Sequence, residues 1–391
     1  MSAPAADATH VVEIPIDALS AGGDGVGRAP DGRVIFVPFA APGDRVRVRL
    51  VEMRARFARG EIEALLEPGP ARCEPRCEVF GECGGCSWQH VRYAAQIEAK
   101  RAIARDALER IGGLRALPPI EVTPSPRDYG YRTRTRLLAS ARRVGYRRRR
   151  SHDVCAIAAC PLLEPALDHA LGKLASAPPA EDGEWELALG EGGRVRCAPL
   201  GAGRSEERIA LRVGADRIEV SAGVFAQANA GLLDALAQTV IDAAGRGEEV
   251  LELFAGAGFF TVGLAHRFAR VTAVEADPAA VRDLLRNTAS RHVRVIEARV
   301  ETWLEHAGAA ALAPEVVVLD PPRGGLGRVA SGHLAALPAR RVVHLSCDPA
   351  TLARDVAALG AGGFRVTRLC LFDLFPQTPH VEVLALLERD G

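Results

Sequence analysis

Residues 9–66 alternate apolar and polar side chains over short distances, which is the period of a β-strand. The pattern runs through VVEIPIDAL, RVIFVPFA, DRVRVRLVEM and ARGEIEALLE. Between the first two segments lies AGGDGVGRAPDGR, whose glycines and aspartates are typical of turns. Four or five short strands joined by such turns predict a small barrel over residues 1–68.

Residues 215–391 carry a different pattern, in which short apolar runs alternate with helical periodicity. The apolar runs include EVLELFAGAG, VTAVEAD, EVVVLDPP and RVVHLSC. Strands that alternate with helices predict an α/β domain with a parallel, doubly wound, Rossmann-like sheet. The last two strand segments, FRVTRLCLFDLF and HVEVLALLERD, have a short connection, so we expect them to be antiparallel neighbours at one edge.

The segment between these regions, residues 69–214, begins with a cysteine cluster and the helical pattern YAAQIEAKRAIARDALERIG. A chain of 391 residues is long enough for two or three domains. The sequence therefore predicts three, over residues 1–68, 69–214 and 215–391.

Composition narrows the class of protein without naming a function. Hydrophobic residues make up 48% and charged residues 25%, which excludes a wholly disordered, collagenous or coiled-coil protein. Basic and acidic residues number 49 each, so affinity for nucleic acid must come from local clusters. We expect no transmembrane helix and no secretory signal, and therefore a cytoplasmic protein.

The segment LELFAGAGFF places Gly256 and Gly258 between a strand and a helix, where the backbone can approach a ligand closely. Glu275 ends the next strand, a position from which a carboxylate accepts hydrogen bonds from ribose hydroxyls. The third glycine of a dinucleotide site is absent, so no pyrophosphate cradle is expected. The pattern resembles the S-adenosylmethionine site of class I methyltransferases.

Three further residues stand at strand ends of the same domain. Asp320 ends the strand of VVVLDPPRGGL, and Glu382 begins the late strand of PHVEVLALL. Cys347 ends the strand of HLSC just before a helix, whose dipole favours a thiolate. A cysteine that is merely buried fits that position equally well. Taken alone, Asp-Pro-Pro also fits methyltransferases that act on exocyclic amino groups.

SCDPATLARD, FPQTPHVE, LDPPR and FAQAN together resemble the RNA uracil-C5 methyltransferases, which make 5-methyluridine in tRNA and 23S rRNA. The resemblance covers nearly the whole chain and implies that the barrel at the start is an OB-like, TRAM-like RNA-binding barrel. It implies that Cys347 is the nucleophile and Glu382 the base. It also implies that contacts to S-adenosylmethionine or the target base come from Gln227, Phe254, Gly256, Gly258, Glu275 and Asp320.

The sequence departs from the family pattern at three positions. Phe259 replaces a residue that is often polar, and Arg299 stands where relatives often carry Asn or Asp. Asp348 replaces the more usual Asn after the nucleophile. The departures at Phe259 and Arg299 put the corresponding cofactor contacts in doubt.

Six of the nine cysteines lie at 73, 77, 83, 86, 155 and 160. Thiols grouped this way in a reducing compartment indicate metal or cluster ligation, and both zinc and iron–sulfur suit them. The family resemblance implies a [4Fe–4S] cluster on Cys77, Cys83, Cys86 and Cys160 in the central domain, with Cys73 and Cys155 spare.

Residues 127–150 are rich in arginine and tyrosine. A strand would place Arg132, Arg134 and Arg136 on one face, where they could bind RNA phosphates. The alternative is a solvated face produced by GC-rich codons, since the chain has 47 arginines and only two lysines.

These patterns predict a monomeric enzyme that methylates carbon 5 of a uridine in RNA through a covalent cysteine adduct, with rRNA favoured over tRNA. Three alternatives stay open. RNA cytosine-C5 methyltransferases usually carry a cysteine in the turn occupied here by Asp320 to Arg323. An amino-group methyltransferase would need neither Cys347 nor Glu382, and a non-catalytic RNA-binding protein would need no intact site.

Overall fold

The structure is a computed structural model that describes residues 11–201, 207–306 and 312–389. The chain forms two compact units. The first comprises the chain up to Ile103 together with residues 148–151 and 376–379, and the second comprises the rest. The predicted segment 69–214 is thus divided between both units, and the three predicted domain boundaries stay a prediction.

The first unit contains a closed five-stranded barrel, as the sequence predicted. Its strands are β1 (Val11–Leu19), β2 (Gly25–Arg28), β3 (Val34–Val37), β4 (Arg45–Met53) and β5 (Phe57–Glu67), in the order β1-β2-β3-β5-β4. Alternate side chains point inward, so that Ile14, Ile16, Ile35, Val46 and Val48 are buried in the barrel core. Closure of the barrel leaves no free sheet edge.

Turns and isolated bridges, rather than helices or strands, make up the cysteine-rich stretch that follows the barrel. Trp88 anchors this stretch, because its fully buried ring packs with Leu19 and its Nε1 donates to the Gly23 carbonyl at 2.9 Å. Helix α1 (Tyr93–Arg110) follows, and its residues from Ala104 onward belong to the second unit.

The second unit contains a five-stranded antiparallel sheet and a separate hairpin. The sheet has the order β11-β10-β7-β8-β9 and is made of β7 (Arg134–Ser140), β8 (Arg143–Arg147), β9 (Val154–Ala156), β10 (Gly183–Leu189) and β11 (Val195–Leu200). The hairpin is formed by β12 (Arg208–Val213) and β13 (Asp216–Ser221). Helix α2 (Pro165–Ser176) packs against the sheet.

An eight-stranded sheet completes the second unit and confirms the predicted doubly wound α/β fold. Five strands are parallel neighbours in the order β16-β15-β14-β17-β18: β14 (Gly247–Leu253), β15 (Phe268–Glu275), β16 (Val293–Glu297), β17 (Val316–Leu319) and β18 (Arg341–Ser346). The accompanying helices are α3 (Leu233–Ala244), α4 (Thr261–Leu264), α5 (Pro278–Asn287), α6 (Val300–Glu305), α7 (Gly327–Ala336) and α8 (Pro349–Gly360).

Both faces of this sheet are buried, which explains the continuous apolar runs of its strands. Val317 and Leu319 pack in one core with Leu334 of α7, while Val316 and Val318 share another core with Leu236 of α3. Among the described helices, none is long and apolar enough to cross a membrane.

The far edge of the sheet differs from the prediction. Strands β19 (Arg365–Phe372) and β20 (Glu382–Glu388) are antiparallel neighbours, as predicted. The edge itself, however, is β6 (Ile120–Thr123), which pairs in parallel with β19. The segment IEVT is too short and too exposed to be recognised as a strand from its own pattern, and its partner is far away in the sequence.

Candidate active site

A strained turn follows β14 at the carboxyl edge of the eight-stranded sheet. Phe254, Gly256 and Gly258 all have left-handed backbones, with φ of 61°, 56° and 94°. A Cβ on Gly258 would lie 3.0 Å from Leu284 Cδ1, so close packing also requires glycine there. For Phe254 the conformation costs about 1–2 kcal/mol, and such strain is typical of ligand-binding turns.

Glu275 ends β15 and holds this turn through its carboxylate. The Gly256 amide donates to Oε2 at 2.8 Å, and the amides of Ala276 and Asp277 donate to Oε1 at 2.7 and 2.8 Å. A carboxylate offers about four acceptor positions, so these three bonds leave one on Oε2. The side chain is therefore fixed in orientation and can still accept one hydrogen bond from a ligand.

A cavity of about 720 Å³ opens at this edge of the sheet. The structure brings seven predicted residues to its wall: Gln227, Phe254, Gly256, Glu275, Asp320, Cys347 and Glu382. Gly258, the eighth, is not among the lining residues and lies against Leu284 in the supporting turn. The volume of the cavity is within the range of about 300–1,000 Å³ that small-molecule sites occupy.

Asp320 follows β17, and the turn after it is held by buried polar groups. The Gly325 amide donates to the Pro322 carbonyl at 2.8 Å, and the Leu326 amide donates to Asp355 Oδ2 at 2.8 Å. His344 Nε2 lies 3.3 Å from the same Asp355 oxygen. Burial raises the pKa of Asp320, which favours its protonated form more than in an ordinary aspartate.

Cys347 stands between β18 and α8, as predicted, but its thiol is not activated by the helix. Asp348 caps α8, and its Oδ1 accepts from the amides of Ala350 and Thr351 at 2.9 and 2.8 Å. Burial, together with the negative charges of Glu382 and Asp320, raises the pKa of Cys347 to about 11. Burial and these charges therefore outweigh the favourable position at the helix start and favour the thiol form over the thiolate.

Glu382 begins β20 and is only 2% exposed. Burial and the charge of Asp320 raise the pKa of Glu382 well above its ordinary value. Its Oε1 has no hydrogen-bond partner within the described residues, and the same holds for Oε1 of the buried Gln227. Buried polar atoms are almost always paired, so a bound ligand is the natural partner for these two.

Comparison with known proteins identifies the family of this chain. The family model described as tRNA (Uracil-5-)-methyltransferase matches residues 208–390, and the TRAM domain model matches residues 10–62. The 23S rRNA (uracil(1939)-C(5))-methyltransferase RlmD of Chromohalobacter salexigens is 34% identical over 96% of this chain and 89% of its own. RlmD of Edwardsiella ictaluri is 33% identical over 95% of this chain and 94% of its own. The chain belongs to the RNA uracil-C5 methyltransferase family.

A solved structure of this family has a closely similar fold. The tRNA (uracil-54, C5)-methyltransferase of Pyrococcus abyssi, in complex with S-adenosyl-L-homocysteine, has a TM-score of 0.75 and 25% identity. The match covers 96% of this chain and all of that one. It confirms the class I methyltransferase fold that the glycine turn predicted.

The cavity lining also includes residues that the sequence analysis did not assign, among them Phe225, Arg323 and His380. Phe225 is 67% exposed, which is unusual for a phenylalanine and places an apolar ring at the solvent side. Arg323 Nη2 lies 3.3 Å from His380 Nε2. Each stands inside a recognised motif, so the motifs carried a signal for them.

The positions that depart from the family pattern can now be located. Phe259 lines the cavity and packs edge-on against Phe260, with ring centroids 4.9 Å apart, so that this wall is apolar. Arg299 also lines it, and its largely exposed side chain lies 3.7 Å from Glu301. Asp348 takes the helix-capping role described above, which an asparagine fills equally well.

The predicted cluster ligands do not form a metal-binding group. Residues 11–201, 207–306 and 312–389 contain no set of three or more Cys, His, Asp or Glu side chains placed to hold a metal. Locally, the Gly85 amide donates to Cys83 Sγ at 3.4 Å, and the Cys77 amide donates to Gln89 Oε1 at 3.1 Å. Cys160 is buried and its amide donates to Asp168 Oδ1 at 2.6 Å.

The prediction that three arginines share one RNA-binding face is wrong at Arg134. Arg134 is only 9% exposed and forms an ion pair with the buried Glu186 of β10, which also pairs with Arg196. Arg136 is exposed and donates to the Gly223 carbonyl at 3.2 Å, while Arg132 is half-buried. Arg134 is thus a structural residue, because the neighbouring strand supplies a carboxylate that its own segment does not reveal.

Proposed function

We propose that this protein transfers a methyl group from S-adenosylmethionine to carbon 5 of a uridine in RNA. The observation that carries the proposal is the meeting of Cys347, Glu382 and Asp320 with the Glu275 turn around one cavity. A methyl-donor site and a nucleophile with its acid–base partners are the two parts that this reaction requires. Membership of the RNA uracil-C5 methyltransferase family supports the same assignment.

The glycine turn and Glu275 form the side of the cavity that would hold S-adenosylmethionine. Gly256 lacks a Cβ, so the backbone can approach the nucleoside, and the remaining acceptor position of Glu275 suits a ribose hydroxyl. When bound, S-adenosylmethionine supplies an electrophilic methyl group. The apolar ring of Phe259 in the wall keeps water away from that region.

Cys347 supplies the nucleophile, since carbon 5 of uracil is too poor a nucleophile to take a methyl group unaided. The thiol loses its proton to solvent water, its sulfur bonds to carbon 6, and the electron pair of the ring double bond shifts toward carbon 5 and the O4 oxygen. Asp320, whose pKa is raised by burial, can donate a hydrogen bond to the oxygen that gains charge.

Glu382 completes the reaction after methyl transfer. Carbon 5 then carries both the methyl group and its original proton, and a base must remove that proton before the carbon–sulfur bond can break. A carboxylate with a raised pKa is a stronger base than an ordinary one, so the burial of Glu382 suits this step. The electron pair returns to the ring and the sulfur leaves.

The two residues should fail in different ways, which provides the test. Cys347→Ala should give neither 5-methyluridine nor a covalent RNA adduct. Glu382→Gln should transfer one methyl group and release it slowly, so a protein–RNA band should survive a denaturing gel. Cys197→Ser, at an exposed cysteine outside the cavity, serves as the matched control and should behave like the natural protein. Substantial turnover by Cys347→Ala, or no adduct with Glu382→Gln, would favour an amino-group methyltransferase instead.

For the substrate we propose 23S rRNA. Two relatives named as 23S rRNA methyltransferases, at 34% and 33% identity over nearly the whole chain, support this choice. A tRNA is the second candidate, favoured by the similarity to the Pyrococcus abyssi tRNA enzyme. Mapping 5-methyluridine in both RNAs from a strain that lacks the gene decides between them, and a loss confined to tRNA would overturn the first choice.

The [4Fe–4S] cluster stays a prediction that rests on the spacing of Cys77, Cys83 and Cys86 and on the family pattern. No step of the proposed reaction depends on it. If the cluster is present, protein purified without oxygen should contain about four irons per chain. Cys86→Ser should remove the iron while Cys197→Ser retains it, and zinc without iron would contradict the prediction.

A further inference from the structure

A second cleft, distinct from the active-site cavity, lies in the first unit beside the barrel. It has a volume of about 460 Å³, and its principal walls are Phe36, Phe39, Arg59, Arg149 and Arg150. The turn from Ser20 to Asp24 also lines it. All of these residues belong to the same compact unit.

The turn in this cleft is rigid. The Gly23 amide donates to the Ser20 carbonyl at 2.9 Å, and the Asp24 amide donates to Ser20 Oγ at 3.1 Å. The buried Trp88 indole fixes the Gly23 carbonyl from behind. Gly23 has a φ of 92°, and a Cβ there would lie 3.3 Å from both Ser87 and Pro379. The cleft is therefore preformed, which lowers the entropy lost on binding a ligand.

Its charge is strongly positive. Asp24, whose side chain is 12% exposed, lies 3.4 Å from Arg59 and 3.7 Å from Arg149, and it is the single acid in the lining. The lining thus holds three guanidinium groups and one carboxylate, and Arg59 also lies 3.5 Å from Glu52 outside the lining. Burial and the like charge of Arg150 lower the pKa of Arg149, a sign that the positive charges are crowded. A bound anion would relieve this repulsion.

Flat apolar surfaces accompany the charges. The Arg149 guanidinium lies over the Phe39 ring at 4.7 Å, and the Arg59 guanidinium lies over the Phe36 ring at 5.6 Å. A stacked guanidinium keeps its N–H edge available for a phosphate, and its outer plane can stack on an unpaired base. Phe39 and Arg150 also have left-handed backbones, with φ of 61° and 56°, and such strain concentrates at ligand sites.

We propose that this cleft binds one unpaired nucleotide of the RNA substrate. Its base stacks on the outer plane of a guanidinium that the Phe36 or Phe39 ring supports from behind, and the N–H groups of Arg59, Arg149 and Arg150 bind its phosphate. The choice of RNA as ligand rests on the proposed function. The volume fits one nucleotide, and stacking on these planes requires a base that is not stacked inside a duplex. The cleft would therefore select RNA that is single-stranded at one position outside the target uridine.

The test uses the full chain with two probes, a labelled single-stranded RNA dodecamer and a blunt duplex of the same sequence. Phe39→Leu keeps apolar packing against Phe80 but removes the flat ring. It should weaken single-strand binding by about 5- to 100-fold, without changing the dependence on salt. Arg149→Gln should instead lower the slope of log affinity against log salt by about 0.7, as expected for one lost contact to a single-strand phosphate.

Arg47→Gln is the matched control, because Arg47 is an exposed barrel arginine that pairs with Glu13 and lies outside the cleft. It should change neither the affinity nor the salt slope appreciably. If Phe39→Leu does not fold, Phe36→Leu removes the other ring. Binding by both cleft variants that matches the natural protein would overturn the proposal, and so would an equal loss on the duplex probe.

The design also separates this proposal from the proposed function. Arg47→Gln, outside the cleft, should leave S-adenosylmethionine binding and methylation unchanged. Phe39→Leu and Arg149→Gln should leave S-adenosylmethionine binding unchanged and lower methylation at limiting RNA in proportion to the lost RNA affinity. If the natural protein methylates RNA and the variants bind it normally, the cleft proposal fails alone. If the natural protein forms no 5-methyluridine while the variants still lose single-strand binding, the proposed function fails and the nucleotide site stands.

Discussion

Two glutamates of the second unit are almost equally buried, yet their surroundings are opposite. Glu186 on β10 is fully buried, and its Oε1 accepts from Arg134 while its Oε2 accepts from Arg196. Glu382 is 2% exposed, and its Oε1 lacks any hydrogen-bond partner in the part of the chain that the structure describes. Its charged neighbour is another acid, Asp320.

The difference separates a structural charge from a functional one. A buried carboxylate is costly unless positive partners and hydrogen bonds compensate it, and Glu186 has two guanidiniums. Glu382 has no such compensation, so its proton is held more tightly and its pKa rises. An uncompensated group of this kind lowers stability and is kept where the chemistry needs it.

The largest expected effect is on the free energy of unfolding, and it tests the comparison between Glu186 and Glu382. Glu186→Ala leaves two buried guanidiniums without their carboxylate and should lower the free energy of unfolding by about 3–5 kcal/mol. Glu382→Gln removes a buried acid that has no positive partner, so it should leave the free energy of unfolding unchanged or raise it. Urea denaturation followed by circular dichroism measures the free energy of unfolding of both variants. Equal destabilisation by the two substitutions would contradict the distinction between a structural and a functional glutamate.

Glu275 is an intermediate case, because backbone amides rather than arginines compensate its carboxylate. Glu275→Ala removes the acceptor that we assign to a ribose hydroxyl and should cost about 1.5–3 kcal/mol of binding. S-adenosylmethionine should then bind about 10- to 150-fold more weakly by calorimetry.

Glu297→Ala is the matched control for that measurement. Glu297 is exposed on β16, directly across from Glu275 in the strand register, and it is not among the residues that line the cavity. Its removal should not affect the affinity. A thermal melt of Glu275→Ala is needed as well, since the same substitution frees three backbone amides. A stable Glu275→Ala protein with unchanged affinity would place the nucleoside elsewhere.

The crowding of acids should also be visible at Cys347. Because its pKa is raised to about 11, the thiolate fraction should increase about tenfold for each pH unit below that value. Alkylation of Cys347 by iodoacetamide, followed by mass spectrometry, should therefore keep accelerating from pH 7 to pH 9.5. Glu382→Gln removes a negative charge that stabilises the protonated thiol of Cys347. Any shift in the pKa of Cys347 should therefore be downward, and alkylation should be faster. A plateau below pH 8 would contradict the crowding.

Much of this site could be predicted from the sequence, because its residues stand at strand ends inside short motifs. Gly256, Asp320 and Cys347 each follow a strand of a parallel sheet, Glu275 is the last residue of another, and the carboxyl ends of such strands meet at one edge. The fold class followed from the same alternation of strands and helices. Local periodicity therefore located the cavity correctly.

What could not be predicted depends on contacts between distant segments. The protonation of Cys347 is set by Glu382 and by burial, neither of which its own motif contains. The burial of Arg134 depends on Glu186 from another strand. In the same way, β6 becomes an edge strand only through its pairing with β19. A local pattern shows where a side chain stands, but not which charge is placed beside it.

The smallest expected effect concerns the two arginines of β7, which the sequence treats alike and the structure separates. Arg136 is exposed, so if it binds an RNA phosphate, Arg136→Gln should weaken RNA binding a few-fold and lower the salt slope by about one unit. Its effect on unfolding should stay within about 0.5 kcal/mol, as for most surface positions. For Arg134→Gln we expect the opposite result, because the Arg134 guanidinium forms an ion pair with Glu186. The free energy of unfolding should fall, and the salt slope of RNA binding should be unchanged. A reduced slope for Arg134→Gln in a protein that remains folded would mean that the buried pair opens to meet RNA, and burial would then no longer distinguish a structural charge from a functional one.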